Sequence, residues 1–302
     1  MKIIKWGSVL ILFILLVAVI SLYAYLRSTL PNYSGTLLVP GLEKRVQVAR
    51  DAFGMPHIFA QNDQDAYFAM GFSQAQDRLF QMDMARRAGH GRLSEVLGNS
   101  LVKVDKVFRI LNASLPLQKW YDKMTPQSRE ALESFTRGVN YFLETSDARL
   151  PVEFKLLGYS PEPWTSFDSM AVMLYMGWSQ NYAFKTELLH AAIIDKIGAR
   201  MAQELFIDYP SGFPAIIPEG ENPIADLSLD YLKTLEVAEK MIGFNGGGAS
   251  NGWVVSGKKT ESGKPLYAND PHLNLSAPSV WYEAHLSTPL MNVSGVTIAG
   301  LP

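Results

Sequence analysis

A serine that follows a run of glycines is the residue in this sequence best placed to do chemistry. Gly246–Gly248 and Ala249 precede Ser250, and the segment after Ser250 has the texture of a β-strand. The Ser250 hydroxyl can attack the Ala249 carbonyl, and hydrolysis of the resulting ester would leave Ser250 with a free α-amine. Because an α-amine has a pKa of about 7.7–8.0, it can act as a base near neutral pH. Nucleophile and base would then belong to one residue.

A structural interpretation of the same segment is simpler. Ser250-Asn251-Gly252 is also typical of a turn that leads into a hairpin, and composition alone favours that turn. Asn269-Asp270 before Pro271 likewise indicates a turn, and a single histidine such as His272 is more often structural than catalytic. From the residues alone, both the structural and the processing interpretation stay open.

Composition and motifs exclude several other kinds of site. The chain has no cysteine, which excludes disulfides, thiolate metal sites and a cysteine nucleophile. Its five histidines show no metal-binding spacing, and no GxSxG elbow, Walker loop or dinucleotide fingerprint is present. The net charge of −2, without a basic run, argues against a nucleic-acid partner.

The charged residues on the predicted helices have structural interpretations. Glu187 is by default a solvated helical carboxylate, and the charges around Asp77 and Arg86-Arg87 predict structural ion pairs.

The N-terminal segment predicts a membrane anchor. Trp6–Leu26 contains 21 residues without a charge, which is enough for a helix to cross a bilayer. Lys2 and Lys5 precede this segment and only Arg27 follows it closely, so the positive-inside rule places the rest of the chain outside the cytoplasm. The alternative is a cleaved signal peptide, which would make the protein secreted or periplasmic.

The remaining chain predicts an α+β protein, in which helices come first and strands later. Its 302 residues, 48% hydrophobic and 19% charged, allow about two domains' worth of buried core. Periodicity predicts a helix over 63–88, a second from Thr125-Pro126, and a third that Thr165 and Asp168 cap. The third helix is expected to run past Glu187 towards Ile197, with an interruption near Gly177. Strands are predicted at Leu37–Val39, Val46–Val48, Trp253–Val255, Pro265–Ala268, Val280–Leu286 and Met291–Ile298.

Several segments occur in an order that matches one known family. These are VARDAFGMPHI (Val48–Ile58), AQDRLFQMDMARR (Ala75–Arg87), GRLSEVLG (Gly91–Gly98), PVEFKLLGYSPEPW (Pro151–Trp164), the Gly-Ala-Ser-Asn junction at Ser250, and Asp270-Pro271-His272. Over about residues 34–302 the chain resembles the penicillin acylase (penicillin amidase) family of N-terminal nucleophile hydrolases. This resemblance favours the processing interpretation of Ser250.

The resemblance implies a four-layer αββα fold with Ser250 at the end of an inner strand. It also implies an inactive precursor that is cut between Ala249 and Ser250 and becomes an α/β heterodimer. The expected organisation is a cytoplasmic stub and anchor (1–27), a linker (28–36), a mostly helical α-chain region (37–214), a spacer (215–249) and the start of the β-chain (250–302).

The activity that the resemblance implies is a self-processing amidase. It would hydrolyse non-peptide linear amides, such as penicillin or cephalosporin side chains or acyl-homoserine lactones, through an acyl-enzyme on Ser250. His272 would support Ser250 and the oxyanion, and Met176–Phe184 corresponds roughly to the acyl-pocket helix. Glu187 falls near the family's calcium carboxylate, so structural calcium is expected, and no organic cofactor is.

The C-terminal end is where the sequence departs from the family. The chain stops at Pro302, whereas family members continue for several hundred residues, and the oxyanion hole and remaining calcium ligands would follow Pro302. The 302-residue chain alone is therefore expected to have no useful amidase activity. Two alternatives remain: a non-catalytic, membrane-anchored binding relative, and a serine peptidase with an ordinary triad. The acyl group and the amine of the substrate are not predicted.

Overall fold

The computed structural model describes residues 2–111, 116–145, 150–180, 182–205, 249–273 and 275–302. The predicted spacer lies outside these residues except for Ala249, and so does the Gly246–Gly248 run. Backbone contacts divide the chain into two compact units. Unit 1 comprises residues 1–87, 115–172 and 281–302, and unit 2 comprises residues 88–114 and 173–280.

Helices and strands are both present, so the mixed helix–sheet class is confirmed, while the four-layer arrangement stays a prediction. The helices are α1 Lys2–Ser28, α2 Asp63–His90, α3 Ser94–Leu97, α4 Val102–Leu111, α5 Leu117–Lys123, α6 Pro126–Thr145, α7 Val152–Leu157, α8 Ser166–Ser179, α9 Tyr182–Ile197 and α10 Ala199–Gln203. The strands are β1 Gln47–Arg50, β2 Pro56–Phe59, β3 Ala249–Val255, β4 Leu266–His272, β5 Trp281–Ser287 and β6 Asn292–Ile298.

Unit 1 contains a four-stranded sheet in the order β1-β2-β5-β6. The two outer pairs are antiparallel, and the central β2–β5 pair is parallel. Alternate residues of β5, namely Tyr282, Ala284 and Leu286, are buried, as expected for a sheet with one face on a core. This sheet joins strands that precede Ser250 to strands that follow it.

Helices α2 and α6 pack against each other in the unit 1 core and cross at two glycines. A Cβ atom at Gly71 would lie 2.1 Å from the Phe135 carbonyl oxygen, and one at Gly138 would lie 1.9 Å from the Phe68 carbonyl oxygen. Helical spacing predicts one apolar face on each helix: Phe68, Phe72, Ala75, Leu79 and Met82 on α2, and Leu132, Phe135, Val139 and Phe142 on α6. All of these residues are buried except Phe72, which is partly exposed. The two backbones therefore approach more closely than any residue with a side chain would allow.

Gly138→Ala is expected to destabilise the chain by about 1–3 kcal/mol, because the new methyl group would push α6 off α2. Urea unfolding of the full chain measures this effect. Gly177→Ala is the matched control, since Gly177 is helical and nothing lies within 4 Å of its missing Cβ. The control is expected to be stabilised by about 0.5–1 kcal/mol. Equal effects at both positions would contradict a close crossing at Gly138.

A cluster of buried charges joins α2 to the segment before α8. Asp83 accepts hydrogen bonds from Arg86 Nε at 2.8 Å, from Arg87 Nε at 2.9 Å and from the Tyr159 hydroxyl at 2.7 Å. Burial first, and then the Asp83 carboxylate, raise the pKa of Tyr159 above its ordinary value, so its hydroxyl remains a donor. The predicted ion pairs of Arg86 and Arg87 are confirmed.

Asp77 forms a different ion pair from the one that helical spacing suggests. Its carboxylate lies 2.8 Å from Arg50 Nη1, on β1. The Tyr282 hydroxyl of β5 donates to the same carboxylate oxygen at 2.7 Å. Tertiary packing brings these three groups together from distant parts of the chain, and helical periodicity carries no information about that packing.

Two details of the predicted elements are corrected. Residues 37–39 form no strand, and the Leu38 carbonyl instead accepts a hydrogen bond from the Tyr141 hydroxyl at 3.0 Å. The interruption predicted near Gly177 falls after Ser179, and α9 then ends at Ile197 as predicted. The Ser179 hydroxyl donates to the Met176 carbonyl and takes up one of the last helical acceptors of α8. The capping box is confirmed, because Thr165 and Asp168 each accept from the other's backbone N–H.

Among the described residues, one helix is long and apolar enough to cross a membrane. The candidate span is Leu10–Ser28 within α1, and its side chains are exposed along their whole length. An N-terminal signal sequence meets the same criteria of length and composition. The helix therefore fits both the anchor and the signal-peptide interpretation.

Candidate functional site

Ser250 is the second residue of β3, which pairs antiparallel with β4 along the full length of both strands. Ala249 lies opposite His272, and Ser250 lies opposite Pro271. Ser250 is exposed. Because proline has no N–H group, Pro271 cannot donate a ladder hydrogen bond to the Ser250 carbonyl. The Ala249–Ser250 peptide bond thus lies at the very start of the strand pair.

Both turns predicted around this site are wrong. Ser250-Asn251-Gly252 lies inside β3, and Asn269-Asp270-Pro271 lies inside β4. The two strands do form a hairpin, but its turn falls between Val255 and Leu266. Continuous pairing over seven residues outweighs the local preference of Asn, Asp and Pro for turns. Strand β4 is an edge strand of a two-stranded sheet, which is a position where Pro is tolerated.

The side chain of His272 is not directed at Ser250. Opposite residues of an antiparallel pair share a face and successive residues alternate, so His272 shares a face with Asn251 and Asp270 while Ser250 is on the other face. His272 Nε2 lies 2.7 Å from Asp270 Oδ2 and 3.4 Å from the Asn251 amide nitrogen. The structure therefore brings the backbone of His272 next to Ala249 without placing its imidazole at the Ser250 hydroxyl.

An ordinary Ser-His-Asp triad is not formed by these residues. A triad needs the imidazole between the serine hydroxyl and the carboxylate, with a hydrogen bond to each. His272 and Asp270 do pair with one another, yet the strand geometry turns both away from Ser250. Both side chains are also well exposed, so their pairing contributes little to stability.

Glu187 and the acyl-pocket segment lie on α8 and α9. Glu187 is exposed on α9, and the predicted 176–184 segment is divided between the two helices. Within the described ranges, no group of three or more His, Asp or Glu side chains is arranged to hold a metal ion. Calcium takes six to eight oxygen ligands, so Glu187 alone does not fit a calcium site, and no chemical step is assigned to calcium.

Contacts between the segments before and after Ser250 are the part of the arrangement that sequence patterns missed. Asp77, which precedes Ser250, accepts from Tyr282, which follows it. The buried amide of Gln74 donates to the Leu301 carbonyl and accepts from the Gly300 N–H, both at 2.8 Å. Burial first, together with the Asp77 charge, raises the pKa of Tyr282, so the phenol stays protonated as a donor. The sequence predicted the strand at Val280–Leu286 but not its partner.

A serine at the start of a strand, in a protein that mixes helices and sheets, is the arrangement that an N-terminal nucleophile hydrolase requires. The chain belongs to the penicillin amidase family, whose sequence model matches residues 45–302. The resemblance found in the sequence is thereby confirmed.

Curated relatives extend this result. The chain is 35% identical over 284 residues to the penicillin acylase 2 proenzyme of a Pseudomonas species, covering 92% of this chain and 36% of the relative. It is 33% identical over 282 residues to the acyl-homoserine lactone acylase QuiP of Pseudomonas aeruginosa, covering 91% of this chain and 33% of that protein. The chain thus spans about a third of the length of these relatives.

A solved structure also matches. The thermostable penicillin G acylase from Alcaligenes faecalis shares 28% sequence identity with this chain at a TM-score of 0.48. The match covers 59% of this chain and 98% of the acylase chain.

Proposed function

We propose that this chain is the N-terminal part of a self-processing amidase that hydrolyses non-peptide linear amides. The observation that carries the proposal is the position of Ser250, exposed at the start of β3 in a member of the penicillin amidase family. Its relatives include a penicillin acylase proenzyme and an acyl-homoserine lactone acylase. Both of these names denote enzymes that remove an acyl group from an amide nitrogen.

Processing would begin with attack of the Ser250 hydroxyl oxygen on the Ala249 carbonyl carbon. The bond between that carbon and the Ser250 nitrogen breaks, and the nitrogen takes a proton and becomes an amine. Water then hydrolyses the Ala249 ester, which leaves a carboxylate on Ala249 and restores the Ser250 hydroxyl. The products are two chains, the second of which begins with the α-amine of Ser250.

Turnover would use the same hydroxyl on a bound amide. The α-amine accepts the hydroxyl proton, directly or through one water, as the oxygen attacks the substrate carbonyl. The amine product leaves with a proton, and water hydrolyses the acyl ester on Ser250 to release the acid. Formation and hydrolysis of the acyl-enzyme both need a stabilised oxyanion, and the resemblance places the oxyanion hole after Pro302. We therefore expect amidase activity from a protein of the relatives' full length and none from these 302 residues alone.

Unit 1 explains how the two products would stay together. Strand β5, which follows the cut, is paired with β2, which precedes it, and Thr288 donates to Asp63 at 2.6 Å across the same division. The Tyr282–Asp77 and Gln74–Leu301 hydrogen bonds add to these contacts. Cutting the Ala249–Ser250 bond leaves all of these interactions in place, which supports a non-covalent heterodimer of the two chains.

Location and calcium complete the proposal. We infer that α1 either anchors the protein outside the cytoplasm or is removed as a signal sequence, and N-terminal sequencing of the exported protein distinguishes these fates.

Calcium stays a prediction of the resemblance, with Glu187 as its candidate ligand among the described residues. A calcium titration of the mature enzyme, followed by thermal unfolding, tests it.

The test is expression of the complete coding sequence without residues 1–27, followed by intact mass measurement and N-terminal sequencing. Two co-purifying chains, one of which begins Ser-Asn-Gly-Trp, are expected, with turnover of at least one member of a panel of aryl and aliphatic amides and acyl-homoserine lactones. A folded, soluble and uncut protein would contradict self-processing at the Ala249–Ser250 bond. That result would favour the non-catalytic binding relative instead.

His272→Ala provides a separate test of the site geometry. Since the imidazole lies on the opposite face from Ser250, the substitution is expected to slow processing and turnover by less than about tenfold. A general acid or base would be worth about 10²–10⁴-fold. Asp270→Ala, which removes the partner of His272, is the matched control and should behave like His272→Ala. A loss beyond a hundredfold for His272→Ala alone would assign the side chain a catalytic role.

A further inference from the structure

Two histidines from distant parts of the sequence meet on the sheet of unit 1. His57 on β2 and His285 on β5 are direct partners in the parallel pair, so they project from the same face. Their Nδ1 atoms lie 3.2 Å apart, and the two rings meet edge to face with centroids separated by 5.3 Å. Both residues are partly exposed.

The outer nitrogen of each ring faces an acceptor. His285 Nε2 lies 2.8 Å from Asn292 Oδ1, an acceptor to which the tautomer protonated at Nε2 donates. His57 Nε2 lies 3.7 Å from Asp51 Oδ2, a carboxylate that favours a proton on that nitrogen. In the tautomers that carry their proton on Nε2, both imidazoles present an unprotonated Nδ1.

The Asp51 carboxylate is held in place by the loop around it. The backbone N–H groups of Phe53 and Met55 donate to Asp51 Oδ1 at 2.9 and 3.0 Å. These two hydrogen bonds fix the position of the carboxylate beside His57 Nε2.

In those tautomers the two Nδ1 lone pairs lie 3.2 Å apart, and a cation bound to both removes their repulsion. Two nitrogens bound tetrahedrally to Zn²⁺ at about 2.0–2.1 Å are about 3.3–3.4 Å apart, close to the observed separation. Outer N–H groups that donate to a carboxylate or carbonyl oxygen are also what orients metal-bound imidazoles. We propose that His57 and His285 bind one divalent transition-metal ion, such as Zn²⁺ or Cu²⁺, through their Nδ1 atoms.

This site is independent of the amidase chemistry at Ser250. Only two protein ligands are involved, so water would complete the coordination and the ion would remain accessible and exchangeable. The Irving–Williams order predicts that Cu²⁺ binds more tightly than Zn²⁺. The two ligands lie on opposite sides of the Ala249–Ser250 bond in the sequence, so a bound ion would also link the segments before and after it.

The experiment titrates the full chain in detergent with ZnCl₂ and separately with CuCl₂. Wild type is expected to bind one equivalent that His57→Gln and His285→Gln each weaken by at least about tenfold. Asn292→Leu, which removes only the acceptor for His285, should also weaken binding by about tenfold. His190→Gln, on α9, is the matched control and should bind like wild type.

Electron paramagnetic resonance of the Cu²⁺ form keeps the test decisive if a histidine variant fails to fold. Wild type should show hyperfine coupling to two imidazole nitrogens, and the exposed Asn292→Leu variant should show it only at higher Cu²⁺ concentration. Wild-type binding that both histidine variants retain, or a wild-type spectrum without two nitrogens, overturns the proposal. If His57 and His285 only share a proton and bind no metal, the wild-type spectrum lacks coupling to two nitrogens.

Discussion

The Ser250→Ala variant of the complete coding sequence is expected to accumulate as one uncut chain and to lose amidase activity to background. Removing a catalytic nucleophile lowers kcat by about six orders of magnitude in a well-studied serine enzyme, and here the same hydroxyl also makes the cut. Intact mass, N-terminal sequencing and turnover of the amide panel measure the two losses. The effect is the largest that any single substitution in this chain should have.

Two further variants separate chemistry from folding. Ser250→Cys keeps a nucleophile at the same strand position, so it should still be cut, with altered turnover. Ser256→Ala removes a hydroxyl from the same exposed segment, where Ser256 caps a short 3-10 helix, and it should be cut normally. If Ser250→Ala were cut at the Ala249 bond, attack by the Ser250 hydroxyl would be excluded.

Asp83→Ala is expected to destabilise the folded chain by about 3–5 kcal/mol, the largest effect on stability in the described structure. The Asp83 side chain is 1% exposed, and the side chains of Arg86 and Arg87 are each 5% exposed. Removing the carboxylate leaves two buried guanidinium groups with their main counter-charge gone. The Asp168 carboxylate, 3.5 Å from Arg86 Nη1, compensates only in part.

The matched control is Glu95→Ala, which breaks an ion pair with Arg92 that is largely exposed to solvent. This pair should contribute less than about 1 kcal/mol, because water and salt screen it. The urea midpoint and slope of the full chain give both values. If Asp83→Ala does not fold, Asp83→Asn keeps the shape and one acceptor and should be intermediate. Similar losses for Asp83→Ala and Glu95→Ala would contradict the importance of the buried cluster.

Local periodicity predicted the helical core well. The burial of Leu132, Phe135, Val139 and Phe142 follows from their spacing, because residues three and four apart lie on one face of any helix. The close crossing at Gly71 and Gly138 did not follow from periodicity. Two glycines at unrelated positions have no local signature that says they face each other, and only the packed backbones require them.

Turn preferences misled the interpretation of the site. Asn269, Asp270 and Pro271 each favour turns, yet all three lie in β4 because pairing with β3 sets their conformation. The same pairing decided that His272 lies on the opposite face from Ser250. A register cannot be inferred from one strand alone, since a slip by one residue would exchange the faces.

The sequence by itself determined the family, the helical faces, the capping box of α8 and the candidate nucleophile, because each depends on residue types at short spacing. The tertiary structure decided which distant groups meet: Asp77 with Arg50 and Tyr282, and His57 with His285. The physical reason is that helix and strand patterns arise from neighbours along the chain. Buried ion pairs and cross-strand contacts arise from how complete elements pack, and that is settled only when the whole chain has folded.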